Sequence, residues 1–530
     1  MSNQQETLTI QQALDRAAQL YETGQLSEAE GIYQQVLRAF PDQHIALTML
    51  GFIALQVGKH DIALEQLSRA LEIKADNADA HHNLAIAFNT LGRTQDAVTS
   101  YRRALAINPE RAETHNNLGL TLCRLGNVRE GIAEYRKALA ISSEFFDAHV
   151  NLGVALCAIG KFDDAVTSYQ KALLIQPDNF TANMNLGDAW RGLGMLDEAV
   201  SSYQAAAKLN PDDPNAHNEM GNALRNLGRL EEAITSYRNA LDAKPSFAKA
   251  RRNEGNTLQE LGRLDEAIGS LEKANTKLSR ANLLECIYER MDKEKFYRKL
   301  EKITSEDRVN LGVAAISAFA SDQFECADPY PFCNNPLEFV SVKNLRSLTT
   351  NGDSLVDAVR KQLLELDLDS GHQSLLKSGF QSGPTLFVDP RGPIAELQAI
   401  LQDEVEAYLS RHAASDCLFI KEWPKSYDMT AWYILMQQDG HLTMHNHPAG
   451  WLSGVFYLEM PIRAGDEASI EFGLHGNNLP IVNDGYPKKT YQVKEGDLIM
   501  FPSSLFHRTV PFHGKGNRLC ISFDINPSQN

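Results

Sequence analysis

The chain has 530 residues, 43% apolar and 22% charged, a composition that excludes disordered, collagen-like and disulfide-rich classes and can build several large cores. Its 51 Lys and Arg against 68 Asp and Glu leave a formal net charge of -17, a field that repels phosphate and anionic lipid, so no nucleic-acid and no membrane partner is expected. Seven cysteines with no C-x-x-C pair fit a reducing compartment. The start, MSNQQETLTI, lacks a basic and apolar leader, and the most apolar later window, VNLGVAAISAFA, is too short for a bilayer, so a soluble cytoplasmic protein is expected.

A period of 34 residues runs through the first half, with repeats beginning at Ile10, His44, Ala78, Ala112, Phe146, Phe180, Pro214 and Ala248 and the last ending near Ala281. The fifteenth residue of every repeat is glycine, from Gly24 to Gly262, where a helix-turn-helix needs left-handed dihedrals. The twentieth is small throughout (Ala29, Ala63, Ala97, Gly131, Ala165, Ala199, Ala233, Ala267), which lets the second helix approach the first. Proline closes many repeats (Pro41, Pro109, Pro177, Pro211, Pro245).

These eight units resemble the tetratricopeptide repeat, which implies an all-α superhelix with a long concave groove, the usual surface for a protein or peptide partner. Within it the sixth repeat position reads Asn83, Asn117, Asn151, Asn185, Glu219 and Asn253, a row of amides able to grip the backbone of an extended peptide. The row is similar to the one in the repeat domain of the protein O-linked N-acetylglucosamine transferase. The same asparagines equally suit bonds within and between helices. Histidine at the fourth position (His81, His115, His149, His217) reads as packing between helices.

From 282 to about 311 the pattern stays helical without the repeat signature, as expected of one capping helix, and ECADPYPFCNNP, 325 to 336, reads as an irregular connection. Cys326 and Cys333 lie within it, seven apart, with no second cysteine pair to complete a zinc site, and read as ordinary thiols. Two helical stretches follow, SLVDAVRKQLLEL and ELQAILQDEVEAYL. From Asp428 onward short alternating runs (TAWYILMQ, LSGVFYLEM, ASIEFG, TYQVKEGDLIMFP, HRTVPF, RLCISFDIN) predict an antiparallel sandwich or small barrel with the helices packed outside.

Six histidines fall in this strand region: His441, His445, His447, His475, His507 and His513. In HNHPAGWLSGVFYL, His445 and His447 are two apart and share a side of an extended strand; GDLIMFPSSLFH brings His507 sixty residues later, and Arg518 opens the next strand. This order resembles the iron(II)- and 2-oxoglutarate-dependent oxygenases, closest to those with H-x-H-P-x-x-W-x-S-G-V-x-Y-L and F-P-S-x-x-x-H signatures, over roughly residues 336 to 527. The resemblance implies a double-stranded β-helix (jelly-roll) fold, with His445, His447 and His507 in the metal-ligand positions and Arg518 in the one that binds the distal carboxylate of 2-oxoglutarate. Tyr457 and Tyr433 are candidates to offer a hydroxyl to that carboxylate. The chain departs from the usual pattern at His447, where the superfamily places a carboxylate; three neutral imidazoles leave the full metal charge in place. His441, His475 and His513 are assigned to loops or to supporting positions.

The expected organisation is multidomain: repeats over 1–281, a capping helix and connection over 282–335, and an oxygenase-like domain over 336–530. The resemblance implies a dioxygenase that uses iron(II), 2-oxoglutarate and dioxygen to hydroxylate its substrate, and a groove of eight repeats joined to it, which raises the local concentration of what it captures, makes a protein or peptide held there the expected substrate. Two alternatives stay open: a non-catalytic scaffold with a degenerate or cupin-like barrel, since GDLIMFPSSLFH also resembles a cupin motif, and a small-molecule hydroxylase.

Overall fold

The computed structural model describes residues 9–333, 335–350, 353–366, 376–462, 465–476 and 479–528. The chain divides into two compact units, 1–155 with 174–176, and 156–173 with 177–530. Sixteen helices, α1 (Ile10–Glu22) to α16 (Leu264–Ala274), fill the repeats, and the first helix of each repeat begins at the residue where the sequence period begins. All eight turn glycines take left-handed φ values, from 72° to 84°. The small twentieth position is equally strict: a Cβ on Gly131 would lie 2.5 Å from Cys123 Sγ.

The fourth-position histidines turn out to close the loops between repeats. His81, His115, His149 and His217 each direct Nε2 to the carbonyl six residues upstream, of Ala75, Pro109, Ser143 and Pro211, at 2.9–3.0 Å. Asn183 and Arg251 do the same at that position to Pro177 and Pro245, so the role belongs to the position rather than to histidine.

Beyond the repeats the structure differs from the single capping helix expected: there are three, α17 (Lys277–Glu289), α18 (Lys293–Glu306) and α19 (Leu311–Gln323), capped by Thr276, Asp292 and Asn310. Helix α19 is apolar along its length because it is covered on all sides. Val313, Ile316 and Phe319 join one core that runs from Ile234 and Leu258 in the repeats to Leu452, Phe456 and Phe523 in the strands. The connection at 325–336 is irregular, as expected, yet packing is continuous across it. Tyr288 donates its hydroxyl to the Pro480 carbonyl at 2.7 Å, and Gln323 accepts from Val482 N and donates to Asn483 O, both at 2.7 Å. Among the described residues no helix is long and apolar enough to cross a membrane.

The strands are β1 (Ser341–Asn344), β2 (Thr349–Thr350), β3 (Asp353–Ser354), β4 (Leu376–Gln381), β5 (Tyr427–Leu442), β6 (Leu452–Glu459), β7 (Ile470–Gly473), β8 (Lys488–Tyr491), β9 (Asp497–Pro502), β10 (Phe506–Thr509) and β11 (Arg518–Pro527). Six form an antiparallel sheet in the order β1-β9-β6-β11-β5-β4, and three form a second, β10-β7-β8. The two sheets enclose a core of Ile434, Val455, Phe472, Ile499 and Phe501, the arrangement of a jelly roll. Helices α20 (Leu355–Glu365) and α21 (Pro393–His412) set Val356, Val359, Leu401 and Val405 against the other face of the large sheet. The run TYQVKEGDLIMFP is two strands, β8 and β9, broken where Gly496 takes φ 84°.

Gly454 on β6 has no room for a side chain, since a Cβ there would lie 2.2 Å from the ring of Phe523 on β11. Gly454→Ala is expected to destabilise the core between the large sheet and the helices, where Phe523 packs, by about 1–3 kcal/mol through overpacking. A urea midpoint equal to that of the parent protein would count against this.

Candidate metal centre

Strand pairing brings the three histidines together. His445 and His507 exchange both backbone hydrogen bonds, at 3.0 and 2.8 Å, and His447 N donates to Ser503 O at 2.9 Å. Pinned this way, the segment 445–447 is extended, and both side chains point to the side of His507. One ligand atom from each of the three rings lies within 4.8 Å of the others, the only such cluster of His, Cys, Asp and Glu among the described residues.

Each ring is oriented through Nδ1. His445 Nδ1 donates to Thr443 O at 2.7 Å, His507 Nδ1 contacts Leu505 O at 3.3 Å, and His447 Nδ1 donates to Asp524 at 2.7 and 2.9 Å. With Nδ1 carrying the proton, each Nε2 has its lone pair free for a cation. Burial, then the neighbouring His447, pushes His445 down to about 4, and burial with both neighbours holds His507 well below the ordinary 6.5. These two rings are therefore neutral at pH 7, the form that binds metal.

Asp524 is the residue that sequence reasoning missed. Its Oδ1 also accepts from Ser453 Oγ at 2.6 Å, and Ser453 in turn meets Ser503 at 2.8 Å. The signal was present: counting by twos along β11 from Arg518 gives Cys520, Ser522 and Asp524, and all four line the same cavity. That cavity, of about 380 Å³, lies between the sheets and is walled by Trp432, Ile434, Leu442, Val455, Ile470 and Phe501.

Arg518 stands at the other end of the same strand face, only 2% exposed. Its guanidinium touches Tyr457 Oη at 3.2 Å, Cys520 Sγ at 3.5 Å and Met436 Sδ at 3.7 Å, and its Nε has no partner. Among the described residues no Asp or Glu pairs with it. Burial pushes the Tyr457 hydroxyl above its ordinary range, so it stays protonated beside the guanidinium. A buried cation with an orphaned N–H and only neutral neighbours fits an anionic ligand, and a fork-shaped one suits a carboxylate.

Tyr433 is a correction. Its ring stacks on Phe380 at 5.3 Å and belongs to the core on the helix side of the sheet, because alternation along β5 gives the cavity face to Trp432 and Ile434. His441 and His513 both bond Asp439, outside the cluster, and His475 packs between Phe319 and Tyr486. Cys326 bonds the Tyr297 hydroxyl and Cys333 lies beside Cys417, so neither is part of a metal site. In the amide row, Asn151 Nδ2 donates to Asn116 at 3.0 Å and Asn253 Nδ2 to Asn218 and Asn222 at 3.0 and 2.9 Å, while Asn117 bonds Asn116 and Tyr101. Asn83 and Asn185 make no side-chain bond among the described residues, and Asn185 is half-buried.

A family model described as "Putative 2OG-Fe(II) oxygenase" matches residues 430–524, the span from β5 to Asp524. Tetratricopeptide-repeat models match 12–42, 42–110, 110–173, 150–214, 202–235 and 221–262. No curated protein matches the chain. Among solved structures, the chain is similar to YrrB, titled a TPR protein with an unusual peptide-binding site, at 23% identity over 36% of this chain and 97% of that one, TM-score 0.33. It is similar to MamA at 27% over 30% and 94%, TM-score 0.29, and to a tetratricopeptide repeat protein from Parabacteroides merdae at 19% over 47% and 98%, TM-score 0.34.

Proposed function

We propose, for a chain that joins tetratricopeptide repeats to a domain of the 2OG-Fe(II) oxygenase type, an iron(II)- and 2-oxoglutarate-dependent dioxygenase that hydroxylates a protein or peptide held by the repeats. The observation that carries this reading is the pairing, on one cavity, of three imidazole nitrogens, one from each ring, within 4.8 Å of one another and a buried Arg518 with no acidic partner among the described residues. A scaffold would gain nothing from burying that guanidinium without an anion.

His445, His447 and His507 would hold the metal, since imidazole nitrogen suits ferrous iron. When bound, that iron supplies dioxygen activation coupled to decarboxylation of 2-oxoglutarate to succinate, the chemistry by which a substrate C–H becomes C–OH. Arg518, whose guanidinium suits a carboxylate, would hold the far carboxylate of 2-oxoglutarate, with the Tyr457 hydroxyl beside it as a further donor. Ile434, Val455 and Phe501 exclude water from the space between, which keeps oxidation on the substrate. Trp432, its ring 5.8 Å from that of His447, borders the metal side and is the wall a substrate would meet.

Capture by the repeats raises the local substrate concentration to the order of mM if both contacts can form together. Repeats seven and eight share one core with the jelly roll, which gives capture there a fixed geometry. The test divides a cell lysate into a dialysed protein fraction and a small-molecule ultrafiltrate and measures succinate released above the substrate-free background. Stimulation by the protein fraction alone is expected; stimulation by the ultrafiltrate alone would favour a small-molecule hydroxylase, and by neither, the scaffold. Asn185→Ala is expected to lower the protein-dependent stimulation while sparing the background, and full stimulation in that variant would take this position of the amide row out of substrate capture.

A further inference from the structure

Two charged side chains face the cavity with no oppositely charged Lys, Arg, Asp or Glu beside them among the described residues. Arg518 has no acid beside it, and six residues along the same strand face Asp524 has no Lys or Arg beside it among the described residues; its partners are His447 Nδ1 and Ser453 Oγ. Both are shielded from water, Arg518 at 2% exposure and the Asp524 side chain at 14%. An interior carboxylate is costly unless hydrogen bonds and a cation answer it.

We propose that Asp524 supplies, through the Nδ1–H of His447, the negative charge that a carboxylate ligand supplies in other centres of this type. This rests on the metal reading above. The ligand set is then three imidazoles backed by one carboxylate, removed from the metal by the width of a ring. With iron(II) and 2-oxoglutarate bound by these residues, the metal would offset the dianion and Arg518 would offset Asp524, an imidazole that ligates through Nε2 and keeps Nδ1–H adding no charge. It also answers why histidine stands at position 447. A carboxylate there would place a second negative group against Asp524, whereas an imidazole accepts the charge through its N–H and passes it to Nε2 by making that nitrogen a stronger donor. Asp524 is thus a positioning and charge-setting residue, with Ser453 and Ser503 fixing the carboxylate in turn.

The test is a double-mutant cycle read as the iron(II) dissociation constant, measured anaerobically by calorimetry on the full chain, with apoprotein melting as the folding control. Asp524→Asn keeps size and an accepting oxygen but removes the charge, and is expected to weaken iron(II) roughly 10- to 100-fold. In the His447→Asp background the ligand is itself anionic, so Asp524→Asn is expected to leave affinity within about threefold or to raise it. Equal loss in both backgrounds would reduce Asp524 to a structural residue and overturn the proposal. Should His447→Asp fail to fold, Asp524→Asn decides by itself: iron bound as tightly as in the parent protein overturns it. A parent protein that takes up no iron(II) would instead fail the metal reading, and this inference with it.

Discussion

Alanine at His507 or at His445 is expected to reduce bound iron(II) from one equivalent to none after gel filtration, with the jelly roll still folded. The two residues are joined by mutual backbone bonds that alanine keeps, so the sheet corner survives while two converging Nε2 atoms become one. Losing a ligand costs more than losing a group behind one, which already lowers metal affinity roughly 10- to 100-fold. His447→Ala should bind weakly rather than not at all, because its removal also strands Asp524 as a carboxylate near the metal. If both His445→Ala and His507→Ala keep a full equivalent, the proposed centre is wrong.

The second large effect concerns Arg518 and has two opposite signs. Without cosubstrate, Arg518→Met is expected to raise the melting temperature, because it removes a buried, unpaired guanidinium and leaves an apolar side chain of similar length among Met436, Cys520 and Tyr457. With 2-oxoglutarate and iron(II) present the order reverses: the parent protein gains stability by linkage and the variant does not. Loss of the charge-assisted bonds is on the order of 3 kcal/mol, roughly a 100-fold rise in the 2-oxoglutarate Kd. Arg518→Lys should recover only part of this, since an ammonium cannot make the two parallel bonds. A variant that melts below the parent without cosubstrate and still shifts with 2-oxoglutarate would assign Arg518 to the core and not to a ligand.

How much of this was legible in the sequence depends on how strictly each position is constrained. The repeat helices start where the period starts because glycine at the turn and a small residue at the crossing admit few alternatives. Strands β5, β6 and β11 were legible as alternating runs because each has one face in the cavity and one against helices. Strands β1 and β4 were not. They lie at the two edges of the large sheet, and SVKN and LKSGFQ carry the polar residues that edges require. Helix α19 was hidden for the reverse reason, since a segment buried all round shows no periodicity. At the site, His445, His447, His507 and Arg518 came from spacing and resemblance. Tyr433 and Asp524 depart from the sequence expectation for one shared reason: strand parity is fixed by the register of Arg518 with Met436, which puts Asp524, Ile434 and Trp432, not Tyr433, on the cavity face.

The most direct measurement is an anaerobic titration of iron(II), then 2-oxoglutarate, into the full-length protein, followed by visible absorption. A chelate formed at this site gives a metal-to-ligand charge-transfer band that appears only with both components, saturates at one equivalent of each, and is lost in His507→Ala and Arg518→Met. Absence of the band in the folded parent protein, or its persistence in both variants, would contradict an iron(II) and 2-oxoglutarate centre between His445, His447, His507 and Arg518.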